Sequence, residues 1–317
     1  MRTRTVLVTG GAGFIGSTLV DRLLAEGRRV VAVDDLSTGT LANLEEARAH
    51  GDGRFEFQRA DVVRGGLDAV VERHRPEVVV HLAARSDGRA SVEDPVGNAM
   101  VNVVGTINLL EACRRHGVGK VVYAMSGGGV ATDEEAGRLP LDEDADLPAL
   151  SPHEAGQHAA EGYLRAYEAM YGLRWTSLVM TDVYGPRQGR GGDVGMVSGF
   201  VAAMLEGRPV TIHGDGTNTR DLVYVDDVVH ALALAMERGD GERFMVGTGQ
   251  QTQVARLFAA LAAATDYRRE PVVAEPRPGD AAHVAVDPTY AAEILGWKPW
   301  TTLEEGLAST LRWVAAD

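Results

Sequence analysis

Short apolar runs alternate with amphipathic segments along the first half of the chain. The runs are TVLVTG (5–10), RRVVAVDD (28–35), RFEFQRAD (54–61), EVVVHLAA (77–84), KVVYAMS (120–126) and WTSLVMTDVYG (175–185). Such runs predict buried strands of a parallel sheet. The segments between them carry apolar residues at helical spacing, as in VNVVGTINLLEACRRHG (101–117), which ends on a glycine. This alternation predicts right-handed βαβ units and a doubly wound parallel α/β sheet.

The pattern changes after about residue 183, where glycine- and proline-rich loops and shorter helices replace the regular alternation. This change predicts a smaller α/β domain over the carboxyl ends of the strands, where such folds bind ligands. Segments near 221–236 and 242–248 are expected to return to the first domain. We therefore predict a first domain of residues 1–183, with returns around 221–248, and a discontinuous substrate-binding domain of residues 184–317.

Composition narrows the classes of partner. The net charge of −14 argues against binding a nucleic-acid backbone or an anionic membrane by bulk electrostatics, although a local arginine cluster could still bind a small anion. Cys113 is the single cysteine and is expected to be a buried thiol in a reducing compartment. No apolar run approaches the roughly 18 residues of a membrane span, and the chain enters a strand without a signal-like apolar region. We expect a cytoplasmic protein with a small-molecule substrate.

A glycine-rich turn follows the first strand and opens the first helix, in VLVTGGAGFIGS (6–17). Its two overlapping glycine patterns let the backbone approach a pyrophosphate, and the helix N-terminus offers free N–H groups and a positive dipole. The turn therefore predicts a dinucleotide site. Its expected cofactor-binding residues are Gly10, Gly13, Phe14, Ile15 and Gly16.

Two acidic residues at strand ends extend this site. Asp34 ends the second strand, where a carboxylate accepts bonds from the adenosine ribose and repels a 2′-phosphate, so NAD is favoured over NADP. Asp61 ends the third strand and is interpreted either as a contact to the adenine edge or as a simple strand-end cap. The remaining expected cofactor contacts are Val62, next to Asp61, and the small-residue segment Leu82, Ala83 and Ala84 after the fourth strand. No metal site is predicted.

Motifs along nearly the whole chain carry a family resemblance. They are TGGAGFIGS (9–17), HLAA (81–84), NVVGT (102–106), VYGPRQ (183–188), GDGTNTRDLVYVDDVV (214–229), PRPGD (276–280) and LGWKP (295–299). The chain resembles the extended short-chain dehydrogenase/reductases, in the nucleotide-sugar epimerase/dehydratase branch of the UDP-glucose 4-epimerase type. The resemblance implies a Rossmann fold and a sugar hydroxyl that NAD oxidises transiently, so that NAD is recycled. It also implies that Asn102 binds the cofactor, and that a homodimer forms through the helices of residues 101–116 and 153–171.

The resemblance further implies a nucleotide-diphosphate site. Arg220 and Arg277 would grip the diphosphate, and Asp280 would bind the nucleotide ribose; a surface ion pair is the alternative for each arginine. Arg85 and Asp87, in the loop after the fourth strand, would line the substrate pocket or form a solvated pair.

Asp182 replaces the asparagine that this branch usually has before VYGPR. A carboxylate repels a diphosphate, so a nucleoside or monophosphate substrate stays open.

The catalytic centre departs from the family, whose members use Tyr-x-x-x-Lys and a serine or threonine after strand five. Here His153 and Gln157 stand at the tyrosine and lysine positions. Gly127 takes the hydroxyl position, with Ser126 as its neighbour, and the TDE segment (132–134) is interpreted as a mimic of a dehydratase motif.

A histidine could replace the tyrosine on chemical grounds. Ser151 and Glu154 form a capping box, with Pro152 at the first helical position. His153 then lies in the first helical turn, where the helix dipole favours a neutral ring. A neutral imidazole can accept a hydroxyl proton without a lysine, and Gln157 can still bond a ribose hydroxyl.

Three hypotheses follow from this centre. The first is an NAD-dependent epimerase or dehydratase with His153 as acid/base group, with Gln157, Ser126 and Asp182, a second candidate base, as the other catalytic candidates. The second is a catalytically silent NAD- and nucleotide-binding protein acting as a sensor or partner subunit. The third is a dehydrogenase that releases NADH at each turnover.

Overall fold

The computed structural model describes residues 4–126, 138–145, 147, 149–189, 195–276 and 281–316. The strands are β1 (Thr5–Thr9), β2 (Arg29–Asp34), β3 (Phe55–Arg59), β4 (Val78–His81), β5 (Lys120–Ser126), β6 (Arg174–Met180), β7 (Asp182–Tyr184), β8 (Thr211–His213), β9 (Thr219–Arg220), β10 (Leu222–Tyr224), β11 (Glu242–Val246), β12 (Thr252–Gln253) and β13 (Val272–Ala274). The α-helices are α1 (Phe14–Ala25), α2 (Glu45–His50), α3 (Leu67–His74), α4 (Gly88–Glu93), α5 (Pro95–Ala99), α6 (Thr106–His116), α7 (Pro152–Tyr171), α8 (Met196–Leu205), α9 (Val225–Ala235), α10 (Val254–Thr265), α11 (Thr289–Ile294) and α12 (Leu303–Ala316). A 3-10 turn (Leu41–Leu44) precedes α2, and a π-helical turn (Met100–Gly105) precedes α6.

Seven parallel strands form the main sheet, in the order β11-β6-β5-β4-β1-β2-β3. Val6 of β1 is in register with Val30 of β2 on one side and with Val78 of β4 on the other. The strand order therefore changes direction at β1, and the carboxyl ends of β1 and β4 flank the crevice where doubly wound folds bind their ligands. The predicted parallel α/β fold is confirmed.

Helices cover both faces of this sheet because alternate strand residues point to opposite sides. Val6 and Val8 belong to a buried cluster that includes Leu19 and Leu23 of α1, and α9 packs against α1 on the same face. Leu7 lies on the opposite face, in a cluster that includes Leu109 of α6. Strands β1, β2 and β4 carry buried apolar residues on both faces, as the sequence pattern predicted.

The second half of the chain contributes to the sheet and also builds smaller units. β11 is an edge strand of the main sheet, and three two-stranded pairs form from β7 with β10, β9 with β12, and β8 with β13. Asp221 joins these parts, since its buried carboxylate accepts bonds from the backbone N–H groups of Thr248, Gly249 and Val286. The division into two domains stays a prediction. None of the helices in the described ranges has the length and hydropathy needed to cross a bilayer.

Candidate active site

The glycine turn after β1 leaves no room for side chains. Gly10 has a φ of +67°, and a Cβ there would lie 2.8 Å from the carbonyl carbon of Leu82. A Cβ on Gly16 would lie 2.0 Å from the carbonyl oxygen of Gly10. Helix α1 begins at Phe14 and Ile15, with Gly13 at its N-cap, and it has no side-chain cap and no acidic residue in its first turn. This bare helix N-terminus fits a pyrophosphate, which is what the sequence predicted.

Asp34 lies beside the glycine turn. Its Oδ2 accepts a bond of 3.0 Å from the Ala12 N–H, and its Oδ1 accepts one of 2.8 Å from the Leu36 N–H. Burial raises the pKa of this carboxyl group, and the two backbone bonds oppose that rise. Each carboxylate oxygen has a further acceptor site, so Asp34 can hold the turn and still accept bonds from a ribose.

Asp61 makes the contacts of a strand-end cap. Its Oδ1 accepts bonds from the backbone N–H groups of Val63, at 2.7 Å, and Arg64, at 3.2 Å. Its Oδ2 lies 3.6 Å from Nε of Arg64. The neighbouring Val62 is buried, and its carbonyl accepts a bond of 3.0 Å from Asn108. The contact of Asp61 to adenine stays a prediction.

The segment after β4 passes close to the glycine turn. The N–H groups of Leu82 and Ala83 both lie 3.2 Å from Oγ1 of Thr9, the last residue of β1. This contact explains why Gly10 has backbone atoms of Leu82 and Ala83 next to it. Leu82, Ala83 and Ala84 therefore line the predicted cofactor site next to the glycine turn.

Helix α7 carries the exchanged catalytic pair. The predicted capping box is confirmed: Glu154 N–H donates to Ser151 Oγ at 3.4 Å, and Ser151 N–H donates to Glu154 Oε2 at 2.9 Å. His153 lies in the first turn, is 4% exposed, and donates its backbone N–H to Oγ of Ser91 at 3.2 Å. Ser91 was not singled out by the sequence, because its contact depends on the packing of α4 against α7.

The His153 imidazole lies against Asn102. Nδ1 of the ring is 3.3 Å from Nδ2 of Asn102, and Nε2 is buried with no hydrogen-bond partner among the residues that the structure describes. Burial lowers the pKa of His153, while the Arg85 carbonyl and the charge of Asp87 oppose that change. The lowered pKa favours a neutral ring, which we predicted from the helix dipole and not from burial.

The Asn102 side chain bonds the backbone of the loop after β4 and also contacts His153. Its Oδ1 accepts the Arg85 N–H at 2.9 Å, and its Nδ2 donates to the Arg85 carbonyl at 3.1 Å and to Oδ1 of Asn98 at 3.0 Å. Asn98 also donates to the Arg85 carbonyl, at 3.0 Å. These contacts organise the loop and the histidine. The cofactor binding that the resemblance implied for Asn102 stays a prediction.

Gln157 lies one helical turn after His153 and is also buried. Its Oε1 accepts a bond of 3.0 Å from the backbone N–H of Ser126, at the end of β5. Gln157 therefore faces the carboxyl end of β5, and its side chain carries no positive charge.

The predicted substrate residues make separate contacts. Asp87 is the N-cap of α4 and accepts the N–H groups of Arg89, at 2.8 Å, and Ala90, at 3.0 Å. The Arg85 guanidinium pairs with Asp94 at 2.6 Å. Gly127, the 132–134 segment, Arg277 and Asp280 lie outside the described residues.

Asp182, the first residue of β7, lies close to Arg220, the last residue of β9. Nε of Arg220 is 4.0 Å from Oδ2 of Asp182, and Nη1 donates to the Thr219 carbonyl at 2.8 Å. The carboxylate that stands in place of the family's asparagine is therefore partly neutralised by the arginine expected to bind phosphate. No cluster of three metal-binding side chains occurs in the described part of the chain.

The sequence profile of the NAD dependent epimerase/dehydratase family matches residues 6–247. The chain belongs to this family. Its cofactor is NAD, which confirms the prediction from the glycine turn and Asp34. The family assignment also supports an enzyme.

Similar proteins match this family member almost end to end. A UDP-glucose 4-epimerase of Mycolicibacterium smegmatis is 47% identical over 312 residues, which is 98% of this chain and 97% of that protein. The Thermotoga maritima UDP-glucose 4-epimerase, solved with UDP-glucose, is 39% identical with a TM-score of 0.90, covering 98% of this chain and 99% of that one. The Thermus thermophilus UDP-glucose 4-epimerase, solved with NAD, is 38% identical with a TM-score of 0.88, at the same coverage.

Proposed function

We propose that this family member modifies the sugar of a nucleotide-sugar or nucleoside by transient oxidation, with His153 as the acid/base group. The family and its relatives support the NAD-dependent reaction class. The observation that carries the role of His153 is its buried Nε2, which has no hydrogen-bond partner among the described residues. Burying an unpaired polar atom costs about 1–3 kcal/mol, and a sugar hydroxyl would supply the missing partner.

The residues around the glycine turn would hold NAD. The backbone of Gly10 and the N-terminus of α1 would face the pyrophosphate, and Asp34 would bind the adenosine ribose. When bound, NAD supplies the acceptor, and later the donor, of the sugar's hydride. Gln157 would orient the nicotinamide ribose through its amide nitrogen, because its oxygen already accepts the Ser126 N–H.

The base role assigns different tasks to the two ring nitrogens of His153. Nε2 would accept the hydroxyl proton during oxidation and return it during reduction. This requires the resting proton on Nδ1, and the Arg85 carbonyl, which favours the protonated ring, would accept it. Nδ2 of Asn102 lies 3.3 Å from the same nitrogen, but its two protons already go to the Arg85 carbonyl and to Oδ1 of Asn98.

Epimerisation and dehydration both fit this proposal. Epimerisation needs one acid/base group and follows from the overall resemblance. Elimination of water would need a second base. Asp182, which lies beside Arg220, is the second candidate base that the sequence offers. A change of mass in the product distinguishes the two reactions.

A second candidate function is NAD and nucleotide binding without turnover, in a sensor or partner subunit. The uncharged Gln157 favours it, because the bond from the Ser126 N–H explains the position of this side chain without any chemistry.

The experiment that separates these functions is a product screen. NAD-loaded protein is mixed with UDP-, TDP- and GDP-sugars and free nucleosides, and the products are read by mass spectrometry and NMR. We expect a product that disappears in His153→Phe and persists in His50→Phe, a control on the exposed surface of α2. An unchanged mass indicates an epimerase, and loss of water a dehydratase. Product that survives in His153→Phe contradicts the histidine-based mechanism, and no product from any candidate favours the silent protein.

We also propose that the protein is a homodimer through α6 and α7. Tyr163, Met170 and Tyr171 of α7 are 41%, 60% and 52% exposed, which is unusual for large apolar side chains on one helix. Light scattering of the purified protein should give the mass of a dimer, and a monomer would contradict this proposal.

A further inference from the structure

A chain of buried polar groups connects the glycine turn with the helix that faces His153. Thr9, His81 and Thr106 are 0%, 1% and 1% exposed, although all three carry polar side chains. Oγ1 of Thr9 lies 2.7 Å from Nδ1 of His81, and Nε2 of His81 lies 3.0 Å from Oγ1 of Thr106. Oγ1 of Thr106 in turn lies 2.7 Å from the Asn102 carbonyl.

The protons in this chain run in one direction. Thr9 Oγ1 accepts the N–H groups of Leu82 and Ala83, so its own proton is left for Nδ1 of His81. Burial lowers the pKa of His81 to about 4, so the ring is neutral at pH 7. Because Nδ1 accepts the Thr9 proton, the proton of the ring lies on Nε2. That proton goes to Thr106, whose hydroxyl proton goes to the carbonyl of Asn102. The direction of these hydrogen bonds cannot reverse, because the N–H groups of Leu82 and Ala83 can only donate and the Asn102 carbonyl can only accept.

This row of hydrogen bonds ends at the π-helical turn of Met100–Gly105. Asn102 lies inside this turn, and Thr106 is the first residue of the α-helix that follows. Wider turns of this kind disturb the regular ladder of backbone bonds and often occur at functional sites. The Thr106 hydroxyl gives the Asn102 carbonyl a bond at this point, and so fixes the part of the helix from which the Asn102 side chain projects.

We propose that His81 and Thr106 are positioning residues, which hold the π turn so that the Asn102 amide lies against His153. They touch neither cofactor nor substrate in this account; they act through Asn102. Through Thr9, the same chain fixes the Leu82–Ala83 backbone at the cofactor turn. The inference deepens the proposed function and rests on it, because it concerns how the proposed acid/base group is held.

The test compares Thr106→Val, which removes the hydroxyl at nearly constant shape, with Thr106→Ser, which keeps it. Thr310→Val is a matched control: the buried Thr310 hydroxyl makes the same contact, 2.8 Å to the carbonyl four residues earlier, in α12. The readout is the imidazole NMR signal of His153, assigned by its absence in His153→Gln. We expect Thr106→Val to shift this signal and to raise the His153 pKa by about 0.5 to 1, the equivalent of one hydrogen bond.

Thr106→Ser should restore the wild-type signal, and Thr310→Val should leave it in place even if the protein melts earlier. An unchanged His153 signal in Thr106→Val overturns the inference. Equal changes in Thr106→Val and Thr310→Val also overturn it, because they would reflect general loosening.

A second measurement uses the wild-type protein and does not depend on how a variant folds. Long-range 1H–15N spectra should show His81 neutral, with its proton on Nε2, at pH 7. A proton on Nδ1 overturns the inference, because the chain could then not run towards Asn102. Neither readout needs turnover, so a failed product screen counts against the proposed function alone.

Discussion

The amide nitrogen of Asn102 lies 3.3 Å from Nδ1 of His153, although the two residues are 51 positions apart in the chain. The contact joins the π turn before α6 to the first turn of α7. It places an uncharged amide beside the histidine that stands in the family's tyrosine position. The environment of the exchanged residue is therefore set by an asparagine that the sequence motif assigned to cofactor binding.

Asn102→Asp should raise the pKa of His153. A carboxylate within about 4–6 Å favours the protonated ring and typically shifts a pKa by 1 to 3. Histidine NMR titration of the purified variant measures the change.

Asn108→Asp is the control for this prediction. Asn108 lies on α6 and bonds the carbonyl of Val62, away from α7. A His153 pKa that stays at the wild-type value in Asn102→Asp would show that the two side chains are not in contact.

Gly16→Ala should abolish tight NAD binding. The new Cβ would lie 2.0 Å from the Gly10 carbonyl oxygen, so the first turn of α1 would have to move off the glycine turn. Such overpacking costs about 1–3 kcal/mol, and the displaced N–H groups would no longer meet the pyrophosphate. Isothermal titration with NAD and thermal melting measure both effects.

Gly162→Ala serves as the comparison, because it lies in α7 and a Cβ there meets nothing within 4 Å. It should bind NAD normally and melt at the same temperature or slightly higher. Equal NAD affinity in Gly16→Ala and Gly162→Ala would show that the glycine turn does not hold the cofactor.

Asp182→Asn should strengthen the binding of UDP by about tenfold. The change removes a carboxylate that repels a diphosphate and releases Arg220, whose Nε lies 4.0 Å from it. A gain of about 1.4 kcal/mol corresponds to that factor. Calorimetric titration of NAD-loaded protein with UDP measures it.

Asp266→Asn, on an exposed residue paired with Arg268, controls for the change in net charge. Weaker or unchanged UDP binding in Asp182→Asn would mean that Arg220 does not serve a diphosphate. A substrate with fewer phosphates would then be favoured.

Acid should destabilise the protein partly through His81. Burial lowers its pKa from 6.5 to about 4, so between these values the unfolded chain takes up a proton that the folded chain does not. The contribution of His81 to stability is thus complete above pH 6.5 and is lost as the pH falls towards 4. The loss amounts to about 3 kcal/mol.

Urea unfolding of wild type and His81→Gln measures this contribution. The variant should be less stable at pH 7, and its deficit should shrink by about 3 kcal/mol at pH 4. A deficit that stays constant with pH would mean that the folded protein accommodates a protonated His81.

Much of the fold could be predicted because the signals are local. Short runs of β-branched, aromatic and other apolar residues marked strands β1 to β6, and the capping box at Ser151 marked the start of α7. The glycine turn predicted the cofactor site, because its residues are adjacent in sequence. These features depend on backbone geometry and burial, which a short stretch of chain determines.

The arrangement of the site could not be predicted in the same way. Apolar periodicity indicated a helix over residues 101–117, but it does not distinguish the π turn of Met100–Gly105 from an α-helix. The partners of His153, Asn102 and Ser91, come from other helices, and the Arg220–Asp182 pair joins two short strands. Such contacts depend on tertiary packing, which spacing along the chain does not encode.

The central claim is that NAD oxidises the sugar transiently while His153 takes the hydroxyl proton. Rapid mixing of NAD-loaded protein with UDP-glucose, followed by the absorbance of reduced cofactor, tests it most directly. We expect a transient rise and fall of this absorbance in wild type, slowed by about 100-fold or more in His153→Phe, the usual effect of losing an acid/base group. A transient of the same rate in His153→Phe, or product formed without reduced cofactor, would contradict it.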